Sequence, residues 1–162
     1  MNPRYALIPG SFDPVTMGHY DFAVRAAAMF EKVYVGAFTN SSKSGKFTVE
    51  QRLEMLRAAF KDVPNVVVDV SEGLLAGYAR EHNIGTLVKG ARNATDFDYE
   101  MSLWLINRSI DEELDTIIFP TRAEYMHVSS TMVRELIKYG CDYSAAVPPG
   151  VAEKIAEYTE VK

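Results

Sequence analysis

The feature that most constrains the fold is the run Gly-Ser-Phe-Asp-Pro-Val-Thr-Met-Gly-His at positions 10–19, placed directly after a short apolar stretch. Gly10 lets the chain leave a strand in a conformation that other residues avoid, and Pro14 prevents a helix from starting early. Gly18 leaves room for a ligand beside the backbone. His19 then falls in the first turn of a helix, where unpaired N–H groups and the helix dipole favour an anion. The run predicts a phosphate-binding strand-to-helix turn.

Apolar runs rich in strand-forming residues alternate with amphipathic runs along the chain. This alternation predicts an α/β fold: a Rossmann-like open parallel five-stranded sheet with helices on both faces and a helical C-terminal segment. Ligands of such sheets bind beyond the carboxyl ends of the strands. The predicted strands are Tyr5–Pro9, Val33–Phe38, Val66–Val70, Thr86–Lys89 and Thr116–Phe119, and the predicted helices are Gly18–Phe30, one starting near Thr48 with a Thr48-x-x-Gln51 capping box, Leu74–His82, Asp96–Arg108, Ser129–Tyr139 and Pro149–Tyr158.

Composition narrows the class of protein. With 162 residues, 48% of them hydrophobic, and no linker or repeat, we expect one domain over residues 1–162. A net charge of −5 disfavours nucleic acid and anionic membranes as partners. Because no apolar run is long enough to cross a bilayer and residues 1–4 lead straight into a strand, we expect a cytoplasmic protein.

Cysteine and histidine are scarce. Cys141 is the single cysteine, so an intrachain disulfide is excluded, and the three histidines, His19, His82 and His127, form no cluster at metal-ligand spacing. We therefore expect no metal site built by the protein itself, and any metal to arrive with a substrate. The chain also lacks a Gly-x-Gly-x-x-Gly fingerprint and a P-loop.

The run 10–19 resembles the signature of the nucleotidyltransferase superfamily related to class I aminoacyl-tRNA synthetases, in which [His/Thr]-x-Gly-His follows Gly-[Ser/Thr]-Phe-Asp-Pro. Thr16, in place of the first His, is similar to the phosphopantetheine adenylyltransferase family. Further segments resemble that family in the same order along the chain. They are Asn40-Ser41-Ser42-Lys43, Lys89-Gly90-Ala91-Arg92, Asp96-Phe97-Asp98-Tyr99-Glu100 and Tyr125-Met126-His127-Val128-Ser129-Ser130-Thr131.

The resemblance implies adenylyl transfer from ATP to 4′-phosphopantetheine, which forms dephospho-coenzyme A and pyrophosphate. It implies catalytic roles for His19, Lys43 and Arg92, Mg²⁺ carried with ATP, a homohexamer and inhibition by coenzyme A. The implied ATP-binding residues are Ser11, Phe12, His19, Gly90, Ala91, Arg92, Glu100, Tyr125, Met126, His127, Val128, Ser129, Ser130 and Thr131, and the implied acceptor-binding residues are Ser11, Lys43, Leu75 and Lys89.

Simpler roles and other functions remain open at this point. Asp96 and Asp98 lie in the first turn of a predicted helix, where the helix dipole favours acidic side chains whatever their other role. The simplest interpretation of His127 is that it supports the fold. Ligand contacts of Arg122 and Arg134 are open. The alternative functions are a nicotinamide mononucleotide adenylyltransferase, which Thr16 disfavours, and a non-catalytic sensor of ATP or coenzyme A.

Overall fold

A computed structural model describes residues 1–38 and 45–160 of the chain. Strands and helices alternate as far as residue 120, and helices follow after it. The strands are β1 (Asn2–Gly10), β2 (Lys32–Phe38), β3 (Val66–Ser71), β4 (Ile84–Ala91) and β5 (Asp115–Pro120). The helices are α1 (Met17–Ala27), α2 (Val49–Phe60), α3 (Leu75–Glu81), α4 (Ala94–Ile110), α5 (Ser130–Lys138) and α6 (Val151–Glu160), with short 3₁₀ turns at Ala123–Tyr125 and Ser144–Ala146.

The five strands form one parallel sheet in the order β3-β2-β1-β4-β5. Ala6 of β1 lies beside Val33 of β2 on one side and Thr86 of β4 on the other. From β1, the chain adds β2 and β3 on one side of the sheet, and it then crosses over to add β4 and β5 on the other side. The boundary between β1 and β4 is therefore a switch point. Ligands of open parallel sheets bind at such a switch point, so the carboxyl ends of β1 and β4 are where a site is expected.

Side chains alternate between two cores, one on each face of the sheet, as the pleat of a strand requires. In β1, Ala6 and Ile8 join a core with α1, α2, α5 and α6, whereas Leu7 joins a core with α3. The predicted fold class is therefore confirmed, including helices on both faces. None of the helices in the described part of the chain is long and apolar enough to cross a membrane.

The predicted elements are confirmed, and their ends differ by a few residues. The predicted strand Thr86–Lys89 ends too early, because β4 runs on to Ala91, where it pairs with Pro120 of β5. The helix after β4 begins at Ala94 because the side chain of Asn93 caps it by accepting from the N–H of Asp96, at 2.9 Å. The last helix begins at Val151, since Gly150 has a φ of 81° and is not helical.

The proposed conformational role of Gly10 was also wrong. Gly10 is the last residue of β1, and the residue in the left-handed region is Phe12, with a φ of 46°. A Cβ atom on Gly10 would lie 2.9 Å from the ring of Phe12, which folds back over it. Glycine is needed at this position to make room for that ring.

Candidate active site

Two adjoining cavities lie at the carboxyl ends of β1 and β4. The first has a volume of about 320 Å³ and the second about 390 Å³. Pro9 and Lys89 line both, so the cavities meet at the switch point of the sheet. Two ligands bound in them would face each other beside the ammonium group of Lys89.

His19 lines the first cavity and is held by a reciprocal pair of hydrogen bonds at the start of α1. The N–H of Thr16 donates to Nδ1 of His19 at 3.1 Å, and the Thr16 hydroxyl lies 3.0 Å from the same atom. That hydroxyl also accepts from the N–H of His19. Because Nδ1 accepts from a backbone N–H, the neutral ring must carry its proton on Nε2. The capping box thus sets the tautomer of His19.

The surroundings of His19 favour the neutral ring. Desolvation, followed by the positive charges of Arg92 and Lys89, lowers the pKa of His19 from 6.5 to about 4. Phe12 and Phe22 meet the imidazole edge-on, with ring centroids 5.2 and 6.2 Å away. At neutral pH the free protein therefore presents an uncharged Nε2–H donor in a fixed orientation.

The basic residues beside His19 are each engaged by an acid from α4. Lys89 Nζ lies 3.3 Å from Oε1 of Glu100, and the Arg92 guanidinium donates to Asp96 at 2.9 Å. Asp96 also accepts from the N–H of Arg92, and these contacts lower the pKa of Asp96. The other carboxylate oxygen of Glu100 is buried and has no hydrogen-bond partner in the described structure. A ligand hydroxyl or N–H in the first cavity would satisfy it.

The turn between β1 and α1 is braced from the C-terminal part of the chain. The hydroxyl of Ser130 donates to the carbonyl of Pro14 at 2.7 Å, and Arg134 donates to the carbonyl of Asp13 at 2.6 Å. The carboxylate of Asp13 accepts from the N–H groups of Lys46 and Phe47 at 2.8 and 2.9 Å. The turn between β1 and α1 is therefore held by hydrogen bonds from α5 and from the segment that precedes α2.

Comparisons with known proteins place this architecture in a family. Residues 7–136 match the cytidylyltransferase-like family model. The chain is 46% identical over 152 residues to a phosphopantetheine adenylyltransferase from Symbiobacterium thermophilum, with 94% of each chain covered. The chain belongs to the phosphopantetheine adenylyltransferase family. It is therefore a nucleotidyltransferase.

A solved structure shares the fold at a greater distance. The crystal structure of a protein described as a nicotinate-nucleotide adenylyltransferase, from Vibrio parahaemolyticus, superposes with a TM-score of 0.73. The match covers 96% of this chain and 93% of that one, at 20% identity. This likeness establishes the common architecture of the two proteins.

The first cavity gathers most of the residues that the family resemblance assigns to ATP. The lining residues among them are His19, Gly90, Arg92, Glu100, Tyr125, Val128, Ser129 and Ser130. The glycine at position 90 has a packing role as well, because a Cβ atom there would lie 2.9 Å from the ring of Phe22.

The remaining residues assigned to ATP lie outside the wall of the first cavity. Phe12 is in the core against His19, and the hydroxyl of Thr131 accepts from Arg134. Met126 and His127 follow a 3₁₀ turn that leaves both exposed. Ala91, at the end of β4, and Ser11 do not line this cavity either.

The second cavity contains the residues assigned to the acceptor, except one. Ser11, Leu75 and Lys89 line it. Lys43 lies outside the described residues. Of the two arginines left open, Arg134 braces the turn, and Arg122 pairs with the buried carboxylate of Asp21 at 3.1 Å.

Several residues that line the cavities were not predicted. In the first cavity these include Thr16, Phe22, Asp96, Tyr99 and Thr121, and in the second Phe38, Gly73, Leu74, Ile106, Asn107 and Ile110. For the residues on α4, the sequence does contain a signal: over the 17 residues of this helix, the apolar residues form no single stripe. In the structure, no residue of α4 is buried. Such a helix has an exposed apolar surface available for ligands or other chains.

Proposed function

We propose that this chain transfers the adenylyl group of ATP to 4′-phosphopantetheine, forming dephospho-coenzyme A and pyrophosphate. The observation that carries the proposal is the junction of two cavities at Lys89, with a neutral His19 on the nucleotide side. Membership of the phosphopantetheine adenylyltransferase family, at 46% identity to the named relative, supports the choice of acceptor.

The reaction needs positioning and charge stabilisation rather than a protein nucleophile. A phosphate oxygen of the acceptor attacks the α-phosphorus of ATP, and the bond from that phosphorus to the bridging oxygen breaks as pyrophosphate leaves. The acceptor phosphate is already ionised, so no general base is required. In-line alignment of the two substrates then supplies much of the rate.

Each basic or donor group has a role that follows from its place. We assign the Nε2–H of His19 to an oxygen of the α-phosphate, where negative charge grows in the transition state. Arg92, held by Asp96, is assigned to the phosphates on the nucleotide side. Lys89, which faces both cavities, is assigned to the reacting phosphates of both substrates. Lys43 remains part of the proposal on the resemblance alone.

Magnesium belongs to the proposal as a companion of ATP. Mg²⁺ prefers water and phosphate oxygens, and it would neutralise part of the charge on the triphosphate. In the ranges 1–38 and 45–160, no group of three His, Cys, Asp or Glu side chains is placed to hold a metal ion. The phosphates of ATP are therefore the ligands that we propose for it.

The second cavity suits the long arm of the acceptor. Its wall combines apolar side chains, among them Leu75, Ile106 and Ile110, with the amide of Asn107. An amide-containing chain such as pantetheine offers both apolar contacts and hydrogen-bonding groups. We assign Ser11 and Lys89, at the inner end of this cavity, to the phosphate of the acceptor.

Assembly into a homohexamer remains a proposal drawn from the family resemblance, and a cytoplasmic location remains one drawn from the sequence. The support for assembly is α4, on which Phe97, Met101 and Leu105 are spaced four residues apart on one face and are exposed by 46%, 37% and 60%. Contiguous apolar surface of this kind is usually covered in the working protein. Light scattering of the purified protein tests the number of subunits: a mass of six chains is expected, and a single chain would contradict it.

The function is tested by pyrophosphate release from ATP and Mg²⁺, with 4′-phosphopantetheine and nicotinamide mononucleotide as parallel acceptors. We expect release with the first acceptor and a product with the mass of dephospho-coenzyme A. Release with the mononucleotide alone would overturn the choice of acceptor but keep the reaction. Nucleotide binding without release from either acceptor would favour the sensor.

A further inference from the structure

Arg52 is a buried arginine behind the phosphate-binding turn. It lies in the first part of α2 and only 8% of its surface is exposed. One guanidinium nitrogen donates to the carbonyl of Ser11 at 3.1 Å, and Nε donates to the carbonyl of Thr48 at 3.4 Å. Arg52 thus reaches the back of the turn whose front lines the second cavity.

No carboxylate in the part of the chain that the structure describes pairs with Arg52. Among the side chains and backbone of residues 1–38 and 45–159, its hydrogen-bond partners are the two backbone carbonyls. The acid of the same turn, Asp13, is engaged by the N–H groups of Lys46 and Phe47 and lies 3.8 Å from Arg134. The turn therefore carries one carboxylate and is contacted by two arginines, Arg52, which is buried, and Arg134, which is half-buried.

A buried charge without a counter-ion lowers the stability of a protein, and arginine does not escape this cost by losing its proton. Carbonyl dipoles offset part of the cost. A bound anion would offset more of it, because in a medium of low dielectric constant the attraction acts over a longer range than in water. The surplus charge is thus better explained by a ligand than by the stability of the free protein.

We propose that Arg52 is a positioning residue that stores uncompensated positive charge behind Ser11 and so strengthens the binding of phosphate groups at the junction of the two cavities. It touches no substrate and acts through the turn. The inference rests on the proposed function for the identity of the phosphates. The charge argument itself requires only that a polyanion binds there.

Three substitutions separate charge from hydrogen bonding. Arg52→Met removes both, Arg52→Gln keeps an N–H donor but removes the charge, and Arg52→Lys keeps the charge. The matched control is Arg57→Met, because Arg57 lies on the same helix and is exposed. For each protein, the thermal midpoint is measured without ligand, and Kd is measured by calorimetry for ATP, 4′-phosphopantetheine and inorganic tripolyphosphate.

We expect loss of the charge to leave the stability of the free protein unchanged or higher and to weaken the binding of anions. Arg52→Met and Arg52→Gln should keep or raise the midpoint of the free protein, because each removes a buried charge that costs free energy to hold away from water without a counter-ion. Both should weaken the binding of anions about tenfold, a size in keeping with a charge that acts at some distance. Arg52→Lys should bind like the unsubstituted protein, as should Arg57→Met.

Other results overturn the inference. A lower midpoint with unchanged Kd values for Arg52→Gln and Arg52→Met would show that Arg52 only supports the fold. Weak binding by Arg52→Lys, or normal binding by Arg52→Gln, would show that the charge is not what strengthens the binding of anions. If the unsubstituted protein released no pyrophosphate, the proposed function would fail, and the tripolyphosphate titration would still decide the role of Arg52.

Discussion

The two cavities are neighbours, but their walls differ in chemistry. The wall of the first carries His19, Arg92, Asp96 and Glu100, all of which are held by hydrogen bonds or ion pairs. Among the described residues, the wall of the second is mainly apolar, and the basic residue that lines it, Lys89, is shared with the first. The proposed function thus assigns the chemistry to one side of the switch point and the recognition of an apolar arm to the other.

The difference in chemistry matches the different needs of reacting groups and of a bound arm that does not react. Reacting groups need fixed geometry, which the capping box at Thr16 and the pairs with α4 provide before any ligand binds. An arm that does not react needs apolar surface, which α4 and the start of α3 supply. Changes in the first cavity should lower turnover, whereas changes in the second should alter the KM for the acceptor.

The largest effect is expected for His19→Ala. Loss of the Nε2–H donor should lower kcat about 10²- to 10³-fold, as found when one donor to a developing oxyanion is removed. The KM for either substrate should change little. Steady-state kinetics measure both constants. His127→Ala is the matched control, since His127 is exposed and does not line the cavity, and near-normal turnover of His19→Ala would contradict the assignment.

A substitution at the junction should affect both sides. Lys89→Met removes the ammonium group that faces the two cavities and leaves Glu100 without its cation. We expect the KM for ATP and for the acceptor to rise about 10- to 100-fold, since a hydrogen bond to a charged group contributes about 1.5–3 kcal/mol. Initial-rate kinetics with each substrate varied in turn provide the measurement.

The control for Lys89→Met is Lys61→Met, a loss of the same charge at the exposed end of α2. It should leave both constants unchanged. A rise in only one KM for Lys89→Met would show that the cavities do not meet functionally at this residue.

Much of the fold could be predicted from the sequence because local patterns specify local structure. Alternation of apolar runs located the five strands, and Thr48-x-x-Gln51 marked the start of α2, where both hydrogen bonds of the capping box are present. The order of the strands in the sheet could not be predicted from local patterns, because it depends on pairing between residues such as Ala6 and Thr86 that are distant in the chain. The rules for the handedness and length of connections between strands reduce the number of possible strand orders but do not select one.

The site was predicted in part for the same reason. Motif positions such as His19 and Arg92 line the first cavity, but not every residue of a continuous motif can face one cavity. Met126 and His127 are exposed because the chain passes through a 3₁₀ turn just before them. Ile106 and Ile110 come from α4, whose approach to the end of β1 is a tertiary contact that no local pattern announces.

A smaller effect, confined to the acceptor, is expected in the second cavity. Leu74→Ala should raise the KM for 4′-phosphopantetheine about fivefold, since each buried CH₂ contributes about 0.8 kcal/mol, and should leave the KM for ATP unchanged. Leu74 is 70% exposed in the free protein, so the fold should not suffer. Met29→Ala, at an apolar residue exposed by 63% elsewhere, is the control. An equal rise in the KM for ATP would erase the distinction between the cavities.

A further effect concerns the pH dependence of stability. With a folded pKa of about 4 against 6.5, His19 binds a proton more readily in the unfolded chain, so its contribution destabilises the protein as pH falls from about 6.5 to about 4. The free energy of unfolding, relative to His19→Gln, should fall across that window and be constant above it. Chemical denaturation at several pH values measures this. A difference independent of pH would contradict the neutral ring.

The central claim is that two substrates occupy the two cavities and meet at Lys89. A crystal structure of the protein with dephospho-coenzyme A tests it most directly, because that product contains both halves. The account predicts the adenosine in the first cavity, the pantetheine arm against Leu75 and Ile106, and the linking phosphates within reach of His19 and Lys89. A pantetheine arm outside the second cavity, or phosphates remote from both side chains, would contradict it.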